Sequence, residues 1–463
     1  MRASGAILLI SCYELGHQPF QLASLLALLR QAGYDPRAID TSVEPLTDEA
    51  ISRARFVAIS VPMHTALRLG EQIARRVREH NPAAAICFYG LYAALNAPHL
   101  LKETSDFAIG GEYETPLLQL IAALEQEKPV SVPGVSTAHA TSQPYIGRPL
   151  FRLPERQQLP ALERYARLEW NGRARIAGYT ETTRGCKHTC THCPITPIYH
   201  GRFFAIPADI VLEDIHKQVA QGAEHITFGD PDFLNGPTHA LRITRALHRE
   251  FPDVTFDATI KIEHLLKHRH ILPELQELGC AFVVSAVESL NDTVLRKLKK
   301  GHTSSDVASV FDWMEEIGIA LRPSLMPFSP WETLESYIAL LNFFEQRHLI
   351  EHVDPVHFSI RLLIPPGSAI LEAPDCAEWL GELDPAAYTY RWHSPNPRMD
   401  DLHRQVSTLV EQAERSQANP IETFFSIKAL ALAANSQEMS ITSAIEHYGA
   451  RRPIPHLTES WFC

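Results

Sequence analysis

Short apolar runs alternate with amphipathic stretches along the first 125 residues of the chain. The runs that predict strands lie at residues 6–10, 38–40, 56–61, 85–89 and 106–109. The stretches that predict helices lie at residues 22–29, 67–77 and 115–124. Strands that alternate with helices indicate parallel pairing through crossover connections. We therefore predict a doubly wound, flavodoxin-like α/β domain with ligands at the carboxyl ends of its strands.

The alternation stops over residues 126–173, which are rich in Pro, Ser, Thr and Gln, and then resumes. The later predicted strands lie at residues 175–180, 225–228, 255–258, 281–285, 320–325 and 357–362. Six strand–helix units predict a partial (β/α)6 TIM-like barrel, followed by helices near 402–416 and 421–435. The predicted organisation is a doubly wound domain (1–125), a linker (126–173), a barrel (174–370) and a helical C-terminal extension (371–463).

Composition narrows the class of protein. The chain has 463 residues, a net charge of −12 and no run of Lys or Arg, which argues against nucleic acid as a partner. No window approaches 18 apolar residues, and the N-terminal apolar run is too short for a signal peptide, so we expect no membrane span. Eight cysteines, three of them clustered, favour a metal in a reducing cytoplasm over a disulfide framework.

The clustered cysteines are Cys186, Cys190 and Cys193, on a loop that follows the first predicted barrel strand. Thiolates at this spacing can converge on one soft metal centre. Iron–sulfur clusters usually take four cysteines, so a [4Fe–4S] cluster held here would keep one iron without a protein ligand. The alternative is a structural zinc site completed by His188 or His192, but no second ligand pair is visible in the sequence.

The spacing C-x3-C-x2-C, with the segments 228–233, 284–289 and 298–303, resembles the radical S-adenosylmethionine (SAM) superfamily, in its cobalamin-binding-domain class. The resemblance implies that the methionine part of SAM chelates the open iron. One electron from the cluster then breaks a carbon–sulfur bond and gives a 5′-deoxyadenosyl radical. It also implies a small-molecule substrate and an external electron donor of the flavodoxin or ferredoxin type.

The same resemblance implies roles for individual residues. Asp230 and Asp232 match an acidic pair beside SAM, although both could instead cap helices. Ser285, Glu288 and Ser289 match a segment near the SAM ribose, where the alternative for Glu288 is a surface ion pair.

Two cations, Lys261 and Arg322, are candidate SAM contacts because of their positions along the chain and not because they match a motif. They lie near the mouths of the third and fifth predicted barrel strands, where they could face the SAM carboxylate or remain solvated.

The N-terminal stretches 19–40, 60–63, 90–93 and 110–114 resemble the cobalamin-binding domain that precedes many radical SAM barrels. The D-x-H-x-x-G motif, which supplies a histidine ligand to cobalt, is missing, and His17 is a weak substitute. Its absence leaves cobalamin open, because many relatives bind the cofactor without that histidine. Cobalamin-dependent methylation and rearrangement are both compatible with the domain, and so is a degenerate scaffold.

The last residues, 455–463, resemble radical SAM proteins named for a C-terminal Cys-Sec-Ala-Glu-Pro or Cys-Cys-Ala-Glu-Pro tail. This resemblance implies a catalytic role for Cys463. It also implies that the natural polypeptide continues past Cys463 through a selenocysteine codon. Three other hypotheses remain: an iron–sulfur electron-transfer or scaffold protein without SAM cleavage, a radical SAM modifier of a macromolecule, and a zinc-stabilised nucleic-acid binding module that the acidic balance disfavours.

Overall fold

The computed structural model of the protein describes residues 1–449 and 454–458. Its N-terminal part is built on a six-stranded sheet in the order β2-β1-β3-β4-β5-β6, in which only β6 runs antiparallel to its neighbour. The strands are β1 (Ile7–Ser11), β2 (Arg37–Asp40), β3 (Phe56–Ser60), β4 (Ala85–Tyr89), β5 (Phe107–Ile109) and β6 (Val135–Thr137). The helices are α1 (Phe20–Gln31), α2 (Asp48–Arg53), α3 (His64–His80), α4 (Leu91–Leu95), α5 (Ala97–Glu103) and α6 (Glu114–Glu125).

Both faces of this first sheet are covered, which explains why its strands read as unbroken apolar runs. Along β1, Ile7 and Leu9 pack with α1 and α6 on one face, and Leu8 and Ile10 pack with α2 and α3 on the other. The predicted doubly wound arrangement is confirmed. Strand β6 lies in the segment predicted as a linker, because three residues are too few to produce an alternation pattern.

The second sheet curls into a half-barrel with the order β14-β13-β12-β11-β8-β7-β17. The remaining strands are β7 (Arg167–Trp170), β8 (Arg173–Thr180), β9 (Thr183–Gly185), β10 (Phe203–Ala205), β11 (His225–Phe228), β12 (Thr255–Thr259), β13 (Cys280–Glu288), β14 (Ala320–Leu325), β15 (Leu380–Asp384), β16 (Thr389–Trp392) and β17 (His456–Leu457). The strands β8, β11, β12, β13 and β14 are mutually parallel, β7 is antiparallel to β8, and the pairs β9–β10 and β15–β16 form small hairpins.

Helices cover the outside of the half-barrel and continue into the C-terminal part. They are α7 (Thr196–Tyr199), α8 (Ala208–Ala220), α9 (Pro237–Glu250), α10 (Ile262–Lys267), α11 (Leu272–Glu277), α12 (Asp292–Lys297), α13 (Ser304–Ile317), α14 (Leu334–Gln346), α15 (Cys376–Trp379), α16 (Pro397–Ser416), α17 (Pro420–Ala434) and α18 (Ile441–Tyr448). The two predicted tail helices correspond to α16 and α17, and Phe424 and Phe425 of α17 join the barrel's apolar core.

The predicted sixth barrel strand, residues 357–362, is wrong. Pro355–Phe358 forms a 3-10 turn, and Arg361 makes a single parallel bridge with Phe328. The carbonyl of Phe358 accepts a hydrogen bond from the Tyr337 hydroxyl at 2.8 Å. A side chain thus occupies a backbone acceptor that would pair with a neighbouring strand if this segment were part of the sheet. The α/β class and the partial barrel are confirmed, with five parallel strands among the described residues. No helix in the described ranges combines the length and apolar character needed to span a bilayer.

Candidate active site

The three clustered cysteines lie on the loop between β9 and α7, at the carboxyl end of the half-barrel. Gly185 precedes the first cysteine with φ of 80°, and a Cβ there would lie 2.6 Å from the Arg202 carbonyl oxygen. Only glycine fits this close approach. The loop is fixed from the other side of the barrel, because Thr191 donates backbone and hydroxyl hydrogen bonds to the carbonyls of Leu298 and Lys297 at 3.1 and 2.9 Å.

The surroundings of the three cysteines bear on the choice between a cluster and a single zinc ion. Cys186 and Cys190 are buried and Cys193 is half-buried, so one short loop offers three thiols. A structural zinc site would need a fourth ligand beside these thiols. Of the two histidines of the zinc alternative, His192 pairs with Glu288 and His188 lies beside Asp232, each at 3.3 Å, so neither is directed at the cysteines alone. The donor set therefore fits a polynuclear iron–sulfur cluster.

The protonation of these cysteines depends on a bound cation. Burial raises the pKa of Cys186 to about 12 and that of Cys193 to about 11. Both thiols are therefore neutral near pH 7 until a metal displaces their protons.

A buried ion pair lies beside the cysteine loop. Lys300 Nζ lies 3.1 Å from Glu288 Oε1, and the two side chains are 3% and 10% exposed. Burial alone would raise the pKa of Glu288, but Lys300 and His192 hold it well below its usual range. Glu288 also has a φ of 66°, a left-handed conformation in which a non-glycine residue is strained. The predicted surface ion pair of Glu288 is thus a buried one.

The acidic residues after β11 have different environments. Asp230 accepts hydrogen bonds from the Thr182 amide and from the hydroxyls of Thr182 and Thr183 at 2.5–2.9 Å, and burial raises its pKa to about 6. Asp232 caps the turn at Phe233–Asn235 through Oδ1, which accepts from the Leu234 amide at 3.0 Å. The capping alternative therefore holds for Asp232 and not for Asp230.

The two cations predicted to contact SAM lie in different surroundings. Lys261 lies beside the cysteine loop, with Nζ 2.8 Å from Glu263 Oε2 and 3.3 Å from His188 Nδ1. Arg322 pairs with Asp354 at 2.8 Å. The two predicted contacts remain predictions.

The two predicted serine contacts also differ. The hydroxyl of Ser289 donates to Glu332 at 2.8 Å, close to Glu288. Ser285 shares a strand face with Val283 and Val287, which pack against the outer helices. The buried Ser285 hydroxyl has no hydrogen-bond partner among the described residues, and its contact with a SAM ribose stays a prediction. The predicted catalytic residue Cys463 lies outside the described residues.

A charged cluster joins the first sheet to the barrel mouth. The Arg184 guanidinium donates through Nη1 to Glu112 and Glu114 at 2.8 and 2.7 Å, and its Nε lies 3.8 Å from Glu181. Burial raises the pKa of Glu181 to about 8. Sequence reasoning missed this cluster. Its only signal was two carboxylates in the 110–114 segment and a cation two residues before Cys186.

The carboxyl edge of the first sheet tests whether cobalamin can be accommodated. Ser11 Oγ, Glu14 Oε1 and Tyr113 Oη are buried there without hydrogen-bond partners, so the edge offers unpaired polar groups to a ligand. His17 is covered, since its ring lies 4.8 Å from that of Tyr179, and burial lowers its pKa to about 4. The edge fits a polar cofactor that takes no histidine ligand from this chain.

Comparison with known proteins is consistent with this geometry. Residues 180–344 match the family model of the radical SAM superfamily. The ribosomal protein uS12 methylthiotransferase RimO of Parabacteroides distasonis is 24% identical over 174 residues, which cover 36% of this chain and 40% of that protein. The anaerobic magnesium-protoporphyrin IX monomethyl ester cyclase of Synechocystis sp. is 22% identical over 355 residues, 73% of this chain and 68% of that protein. The chain thus spans about two fifths of the length of the methylthiotransferase.

Solved structures extend the similarity to the N-terminal part. OxsB, a cobalamin-dependent SAM radical enzyme solved with aqua-cobalamin and SAM bound, superposes with a TM-score of 0.70 at 15% identity, over 88% of this chain and 66% of that chain. The radical SAM methyltransferase TsrM from Kitasatospora setae, with tryptophan and a SAM analogue bound, superposes with a TM-score of 0.65 at 16% identity, over 96% and 97%. At these identities the similarity shows a shared fold.

Proposed function

Because residues 180–344 form a radical SAM domain, we propose that this chain is an enzyme that cleaves SAM reductively to start radical chemistry on a small molecule. The observation that carries the proposal is the cysteine loop. Two buried thiols and one half-buried thiol share one short loop, and His192, a possible fourth zinc ligand, is paired with Glu288. Cys186, Cys190 and Cys193 would hold a [4Fe–4S] cluster.

A cluster held by three cysteines supplies an open iron for SAM and one electron to break its carbon–sulfur bond. The chain's own residues set the electrostatics of that step. Lys300 is a buried cation near Cys190 and Cys193, so it offsets the negative charge of the thiolates. Glu288 fixes the position of Lys300 and of His192, which stands next to Cys193 in the loop.

For SAM itself we propose a site formed by the loops that surround the cysteines. Lys261 is the best placed cation for the SAM carboxylate, because it is nearly buried and reaches the cysteine loop through His188. Glu288 and Ser289 remain the proposed ribose neighbours. Asp230 supports the site by fixing Thr182 and Thr183 at the end of β8.

Cobalamin is a further part of the proposal. The unpaired polar atoms of Ser11, Glu14 and Tyr113 support a cofactor between the first sheet and the barrel, with no cobalt ligand from the chain. Methylation or a rearrangement of the substrate would both use that arrangement. The proposed domain boundaries are 1–125, 126–173, 174–370 and 371–463. The electron donor would be an external flavodoxin or ferredoxin in the cytoplasm.

The test is anaerobic reconstitution with iron and sulfide, followed by reduction in the presence of SAM. We expect about four irons per chain and the release of 5′-deoxyadenosine. The matched control replaces Cys376, a buried cysteine of α15 outside the loop, with alanine, which should leave both readouts intact. Four irons without any 5′-deoxyadenosine would instead support an electron-transfer or scaffold protein.

A further inference from the structure

A second group of metal-binding side chains lies beside the cysteine loop. His188, Asp232 and His264 each offer one ligand atom, and these three atoms all lie within 4.8 Å of one another. Asp232 and His264 are only 2% and 1% exposed in their side chains, and His188 is 12% exposed. Two imidazoles and one carboxylate are a common ligand set for first-row divalent ions.

The candidate ligand atoms of the group are close together. Asp232 Oδ2 lies 2.9 Å from His264 Nδ1 and 3.3 Å from His188 Nε2, and none of these three atoms has a well-directed hydrogen bond. Ligands on bonds of about 2.0–2.1 Å around a tetrahedral ion stand roughly 3.3 Å apart. The observed separations are close to this spacing.

The surroundings of the group also suit a metal ion. Asp232 uses only Oδ1 for its cap, which leaves Oδ2 for a metal. Metal-bound histidines usually donate their second ring N–H to a carboxylate, and Glu263 Oε2 lies 3.6 Å from His188 Nδ1. Lys261 Nζ lies 3.3 Å from the same nitrogen and 2.8 Å from Glu263 Oε2. Glu263 can therefore accept hydrogen bonds from both the His188 ring N–H and the Lys261 ammonium group.

We propose that His188, Asp232 and His264 bind one divalent ion of the zinc class, separate from the cysteine-bound centre. The ligands come from the cysteine loop, from the segment after β11 and from the first turn of α10, so the ion would tie three segments of the barrel mouth together. Three protein ligands leave a fourth coordination position open to water or to a substrate oxygen or nitrogen.

The test uses the reconstituted full-length protein, so that the cysteines are already occupied by iron. After equilibrium dialysis against Zn²⁺ we expect about one zinc per chain in addition to the cluster iron. The variants Asp232→Asn and His264→Gln should weaken zinc binding roughly tenfold or more while the iron content is unchanged. His270→Ala is the matched control, because this exposed histidine lies close to His264 in the chain but outside the set.

Zinc-edge X-ray absorption of the unsubstituted protein decides the site even if a variant misfolds. Only nitrogen and oxygen neighbours at about 2.0–2.1 Å support the proposal, whereas sulfur at about 2.3 Å places zinc on the cysteines and overturns it. Zinc content near zero, or zinc content unchanged in both variants, also overturns it. Zinc bound at this site without 5′-deoxyadenosine would contradict the proposed function alone, and SAM cleavage in a protein that binds no zinc would contradict this site alone.

Discussion

Replacement of Lys300 by methionine tests the buried ion pair beside the cysteine loop. Methionine keeps most of the aliphatic stem but removes the charge that lies 3.1 Å from Glu288 Oε1. Glu288 would then remain buried with only His192 of this pair of neighbours beside it. Loss of one member of such a pair typically costs about 3–5 kcal/mol, because the other charge stays desolvated.

That cost converts into a measurable shift in thermal unfolding. A folding unit of 150–250 residues loses about 2–4 °C per kcal/mol, so Lys300→Met should lower the unfolding midpoint by about 6–20 °C. The assay is thermal unfolding of the metal-free protein at pH 7, monitored by circular dichroism. Lys299→Met is the matched control, since Lys299 is the exposed neighbour in the same segment and should shift the midpoint little.

A double substitution separates the ion pair from lost packing. Lys300→Met combined with Glu288→Gln removes both charges, and it should recover at least half of the lost midpoint. A Lys300→Met midpoint within about 2 °C of the parent, or a double variant with the sum of the two single losses, would refute the reasoning.

Three further outcomes follow. Cys190→Ala should abolish the brown chromophore of the reconstituted protein, measured as iron content and visible absorbance, and retention of about four irons would contradict the ligand assignment. Asp230→Ala should cost about 1–3 kcal/mol or more in unfolding free energy, because the Thr182 amide loses its acceptor, and an unchanged urea midpoint would contradict this. The pKa of Glu181 is about 8 in the folded chain, above its unfolded value, so folding is penalised as pH rises toward 8. Glu181→Gln should therefore raise the thermal midpoint more at pH 9 than at pH 6, and an equal effect at both pH values would contradict the assignment.

The fold was largely predictable because burial on both sheet faces produces apolar runs that local sequence reveals. The failure at residues 357–362 has a local cause: the segment alternates like a strand, but Pro355 begins a turn and a tyrosine hydroxyl takes up the Phe358 carbonyl. The cysteine loop was predictable because its three cysteines lie within eight residues.

The ionisable clusters were not predictable in the same way. Arg184 and Glu112 are 72 residues apart in the chain, and His188, Asp232 and His264 come from three separate segments. Sequence spacing gives no signal for pairs that only barrel closure brings together.

Mössbauer spectroscopy of the ⁵⁷Fe-reconstituted protein, with and without SAM, tests the central claim most directly. If three cysteines leave one iron open, SAM should alter one iron subsite and leave the other three unchanged. A spectrum in which SAM changes no iron subsite would contradict an open iron at this loop.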